Sequence, residues 1–143
     1  MNLKKFFPIS LFAAGVLLGG WLMNTDKAEA AAKGRVFEMR TYTAHDGRLD
    51  ALQARFRDHT TRLFEKHGMK NIGYWVPQDG PTAKNTLIYI ISHQSREAAK
   101  SNWDAFRNDA DWKKAKDASE ASGPIVSKVE SVFLDATDYS PIK

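Results

Sequence analysis

The order strand, helix, strand, strand, helix, strand across residues 35–135 constrains the fold of this chain more than any other feature. Arg35 to Thr43 alternates, and it is rich in the β-branched and aromatic residues of a strand. After the Asp46-Gly47 turn, apolar residues recur at Leu49, Leu52, Phe56 and Leu63, the stripe of an amphipathic helix that ends near His67-Gly68. Asn71 to Val76 reads as a short strand, and Pro77-Gln78-Asp79-Gly80-Pro81 breaks regular structure before a third strand, Asn85 to His93. Ser95 is placed to cap a second helix with Ala99, Trp103 and Phe106 on its buried stripe. Asn108-Asp109 interrupts that helix, a shorter piece runs from Asp111 to Ser119, and Ile125 to Asp135 is the last strand.

This order matches the split βαβ plan: an α+β, ferredoxin-like βαββαβ fold with an antiparallel sheet and both helices on one face. Alternation along the first strand divides it into two sets. Phe37 and Met39, being apolar, are expected under the helices; Glu38, Arg40 and Tyr42 are then expected on the open face, where a second copy would turn that face into a lined cavity.

The amino terminus reads as an export signal. Lys4 and Lys5 precede an apolar run from Phe6 to Met23, and Ala28-Glu29-Ala30 carries small residues where a signal peptidase needs them. Residues 1–30 are therefore the expected leader and residues 31–143 the folded domain, exported to the periplasm or secreted. The run also approaches a minimal membrane span, so a retained anchor holding the domain outside the cytoplasm is the alternative, and the membrane is a partner only in that case. The leader carries three lysines and two acids, so its removal lowers the formal charge of +4 by one. Such a mild excess is not the footprint of a nucleic-acid binder, and no nucleic-acid partner is expected. The chain has no cysteine, which excludes disulfides, thiolate metal sites and cysteine nucleophiles.

Several motifs resemble those of the NIPSNAP family in order and spacing. They are Glu38-x-Arg40-x-Tyr42, His67-Gly68, Ile72-Gly73-Tyr74-Trp75, Gly80 with Asn85, Ser95-Arg96-Glu97, Asp109-Ala110-Asp111-Trp112 and Tyr139-Ser140-Pro141. Ala110 stands where the family often has proline, and Ile91 where a tryptophan is common. The resemblance implies a dimeric α/β-barrel, in which two ferredoxin-like sheets pack face to face. Cofactor-free monooxygenases, haem-degrading monooxygenases and small isomerase-like or binding proteins share that architecture, while NIPSNAP members mostly lack an assigned reaction. A homodimer is therefore expected, and its fold alone assigns no chemistry.

Glu38, Arg40 and Tyr42 are the first candidates for ligand contact. Arginine offers a fixed fork for a carboxylate or phosphate, glutamate can accept a proton, and tyrosine can donate to an oxygen. The alternative for the same residues is a Glu–Arg pair that fixes strand or dimer register, with Tyr42 as packing. Trp75 and Tyr89 add aromatic surface; Trp75 packs either under a helix or on the open face, where Gly73 leaves room beside it. His93 ends the third strand and is the one histidine near a cavity mouth; it is also the one nominee for an axial haem ligand. Solvated or capping roles suit each of His45, His59, His67 and His93, and the spacing of the four histidines makes no metal signature. Lys113, Lys114 and Lys116 read as a solvated helix face. No cofactor or metal is expected. A small-molecule-binding dimer, a cofactor-free monooxygenase or isomerase in the same cavity, and a non-catalytic interaction module all fit these residues.

Overall fold

A computed structural model describes residues 34–143; the export signal read in residues 1–30 lies outside the described residues. Four strands and one helical layer follow the expected order. Strand β1 (Val36–Ala44) leads to α1 (Leu49–Arg55), which passes through a π-helical turn (Phe56–Thr60) into α2 (Thr61–Lys66). Strands β2 (Lys70–Trp75) and β3 (Thr86–His93) are joined through a 3-10 turn at Pro81–Lys84. Helices α3 (Arg96–Asn108) and α4 (Ala110–Ser119) precede β4 (Val126–Leu134). The sheet is antiparallel, in the order β2-β3-β1-β4, and does not close. This is the ferredoxin-like arrangement, with the first and third strands central. No helix among the described residues is long and apolar enough to cross a membrane.

Local chemistry explains the boundaries. Ser95 Oγ accepts the amide of Ala98 at 3.1 Å and starts α3. Asp109 Oδ1 accepts the amides of Asp111 and Trp112, so α4 begins cleanly although Ala110 stands where proline is frequent. The same Asp109 ties α4 to the end of α2: Oδ2 takes Lys66 Nζ at 2.6 Å and His67 Nε2 at 2.7 Å. Those two hydrogen bonds hold the Asp109 carboxyl well below the usual carboxylate range.

Gly68 ends α2 with φ +76°, and a Cβ there would stand 3.2 Å from Asn102 Oδ1. Gly68→Ala is therefore expected to destabilise the fold by about 1–2 kcal/mol, since a side chain in the left-handed region adds strain to the close contact. Urea denaturation checks this.

The core lies between the sheet and the helices. Phe56, Phe64, Tyr89, Trp103 and Phe106 are buried there in edge-on and tilted aromatic pairs. A bulge between Asn71 and Gly73 lets both Asn71 and Tyr74 face the helices, where the Tyr74 hydroxyl donates to Asn71 Oδ1. The opposite face carries Met39, Ile88, Ile90 and Val132, and the tail crosses one end of it. A hollow of about 270 Å³ remains there, lined by Phe37, Ile72, Ile90, Leu134 and Ile142.

Candidate functional site

The first strand enters the fold with its faces opposite to the sequence-based expectation. Glu38, Arg40 and Tyr42 lie under the helices, and Phe37, Met39 and Thr41 take the open face. The charged set is inside because the helix layer and neighbouring strands bring it hydrogen-bond donors. Glu38 is only 1% exposed, yet both carboxylate oxygens are fully engaged. Oε1 accepts Arg40 Nη1 at 2.6 Å and Ser131 Oγ at 2.6 Å; Oε2 accepts Trp103 Nε1 at 2.7 Å and lies 3.0 Å from His93 Nε2. A buried carboxylate is costly unless so paired.

Burial alone would raise the Glu38 pKa. The hydrogen bonds from His93, Ser131, Trp103 and Arg40 outweigh it and bring the group down to about 2. Glu38 is thus a fixed anion, and a poor match for a general base, which works best with a pKa near the operating pH. Trp103→Phe removes one of its donors and leaves the space of the indole's second ring unfilled in the core. It is expected to cost about 1–3 kcal/mol in chemical denaturation, the price of a buried acceptor losing a partner.

Arg40 links this anion to a cleft. Its guanidinium lies 4.2 Å from the Trp103 ring centroid and 5.6 Å from that of Tyr42. Burial would lower the Arg40 pKa, but Tyr42, Tyr89 and Glu38 raise it above its ordinary value. The cleft, about 470 Å³, runs between the β1 side of the sheet and helices α3 and α4; Arg40, Tyr42, Trp103, Phe106, Trp112 and Lys113 are among its lining residues. A neighbouring hollow of about 370 Å³ shares Tyr42, Phe106, Trp112 and Lys116 with it and extends toward Phe56 and Val129.

The other candidates separate. Tyr89 is fully buried, stacked on Tyr74, and its hydroxyl has no partner among the described residues; burial pushes its pKa well up. His93 is buried rather than at a cavity mouth. Nε2 faces Glu38 and Nδ1 lies 3.3 Å from Asn102 Nδ2, so both ring nitrogens are engaged by side chains. Trp75 is on the open face, 51% exposed, and leans over Gly73, where a Cβ would meet its ring at 2.5 Å. The room beside Gly73 is therefore filled by the indole itself. Glu38, Arg40, Tyr42, Tyr89 and His93 all face the helices, while Trp75 stands apart. Among the described residues no group of three or more His, Asp or Glu is placed to hold a metal ion.

From the sequence, Ser131 has no assigned role and Trp112 belongs only to the Asp109-to-Trp112 motif; Lys113 and Lys116, read there as a solvated face, are exposed and also line the cleft. Trp112 had a visible signal: it lies three residues past a capping aspartate, on the first turn of a helix. Ser131 had none, because its partner is 93 residues away in the chain.

Comparisons with known proteins agree on the family. The NIPSNAP family profile matches residues 37–141. A crystal structure of a NIPSNAP-like domain protein from Burkholderia xenovorans superposes with a TM-score of 0.66 at 15% identity, covering 76% of this chain and 90% of that one. Two NIPSNAP family proteins from Agrobacterium tumefaciens are similar. One has a TM-score of 0.66 at 18% identity, with coverage of 78% and 96%. The other has a TM-score of 0.66 at 19% identity, with coverage of 76% and 99%. No curated protein sequence gives a significant match to the chain.

Proposed function

The chain belongs to the NIPSNAP family, and from that premise we propose that it is an exported homodimer that binds a small molecule in the cleft between sheet and helices of each copy. The observation that carries the reading is the cleft itself. It joins an aromatic lining to the partly exposed Arg40 guanidinium, which Glu38 holds in place. Pockets of a few hundred Å³ with apolar walls and a few placed polar groups are the usual form of small-molecule sites. Binding is favoured over acid–base catalysis by Glu38 because that carboxylate is held ionised by its four partners.

The apolar character of the open sheet face supports the dimer. Val132 and Trp75 are each half exposed there, and they continue an apolar surface through Met39 and Ile90. Export rests on the leader in residues 1–30.

Native mass spectrometry of the protein, expressed with its leader and purified without added ligand, tests all three parts. The expected result is a dimer of chains beginning at Ala31, carrying a small-molecule adduct. A monomer would overturn the sheet pairing, an uncut chain in the membrane fraction would replace cleavage by anchoring, and an empty cleft that binds nothing in a ligand screen would overturn the binding role.

A further inference from the structure

We propose that the ligand is a flat aromatic monoanion, of the carboxylate type, with its charge on Arg40 and Lys113 and its ring against Trp112 and Phe106; this rests on the cleft reading above. The charges lining the cleft are unequal: Arg40, Arg107, Lys113 and Lys116 face a single lining carboxylate, Asp117. Arg107 and Lys116 pair with Asp104 and Glu120 and stand largely in solvent, with 58% and 48% of their side-chain surfaces exposed. Lys113 has no ion-pair partner among the described residues, and Arg40 is bound to Glu38 through Nη1 only. Nη2 of Arg40 makes no hydrogen bond to a described residue, and the side chain keeps 17% of its surface exposed. One guanidinium edge and one ammonium suit a single negative group.

The shape of the ligand follows from the walls. Phe106 and Trp112 stand with ring centroids 4.5 Å apart and planes tilted by 34°, an aromatic slab beside the Arg40–Trp103 stack. A planar ring fits such a wall by stacking. A polyphosphate is a poor fit. The first amides of α4, which could cradle phosphate, are taken by Asp109.

The test is a titration of the ¹⁵N-labelled full chain with 2-naphthoate and, separately, with the neutral 2-naphthamide. The indole N–H signals of Trp75, Trp103 and Trp112 are followed, after assignment through Trp→Phe variants. Naphthoate is expected to move the Trp103 and Trp112 signals and leave Trp75 in place, with half-saturation at a concentration about tenfold or more below that of naphthamide. Lys113→Gln and Arg40→Met should each narrow that gap; Lys113 is on the surface, so its variant serves even if loss of Arg40 harms folding. Equal affinity for the two probes at Trp103 and Trp112 would overturn the anionic class while leaving the cleft as a binding site. Shifts confined to Trp75, or no shifts, would overturn both.

Discussion

Replacing Glu38 by alanine is expected to cost about 3–5 kcal/mol of stability, the usual penalty for breaking a buried charged network by removing one member. The loss comes from what remains. Trp103 would keep a buried donor and Arg40 a partly buried one, both aimed at the lost carboxylate, while the Ser131 hydroxyl would turn to solvent and a void would open between them. Chemical denaturation at fixed protein concentration should move to a lower midpoint with little change of slope. Glu38→Gln should lose less, because it fills the space, yet it turns an amide N–H toward one of these donors.

The same residue sets an acid limb. Its folded-state pKa, about 2, lies below the ordinary value of 4.5, so the stabilisation is fully present above pH 4.5 and is lost as pH falls toward 2. The difference corresponds to something on the order of 3 kcal/mol. Asp109, also held low, acts in the same direction. Stability measured from pH 6 down to pH 2 should fall more steeply in the native chain than in Glu38→Gln, which lacks the titrating group. Parallel curves would show that the Glu38 carboxylate contributes no such linkage.

Val132→Lys is expected to raise the dimer dissociation constant by about 100-fold or more. Val132 pairs with Met39 across the sheet and is 50% exposed on the face proposed to meet a second copy. Each copy would bring one lysine into an apolar contact. Two desolvated charges at about 1.5–3 kcal/mol apiece exceed what a modest sheet interface can absorb. Sedimentation velocity at micromolar concentration should show monomer for the variant and dimer for the native chain. The single chain should stay folded, because Val132 faces away from the core between sheet and helices. A dimer of unchanged affinity would place the contact elsewhere on the molecule.

Element order was legible in the sequence because period and punctuation agreed: the six elements and the Ser95 cap lie within a residue or two of where they were expected. The orientation of the first strand was not legible. Both of its residue sets are half apolar, and the rule that charges face outward favoured Glu38 and Arg40 on the open side. Their true side depends on Ser131, Trp103 and His93, which lie 93, 65 and 55 residues away in sequence. A strand read alone contains no trace of those donors. The same blindness affected Trp75, whose neighbour Gly73 invited a ligand or a partner backbone; the indole folds back over the glycine instead. Lys113 and Lys116 show the reverse case. Their helical spacing fits a wet surface, and only the packing of α4 against α1, the π-helical turn and α3 makes them the rim of a cleft.

The most direct measurement is a crystal structure of the protein grown with 2-naphthoate. The expected density is a single ring system in the cleft of each copy, against Trp112 and Phe106, with its carboxylate on Arg40 and Lys113. Density between two open sheet faces, beside Trp75 and Ile90, with the cleft empty would contradict the account and return the binding site to the interior between the paired sheets.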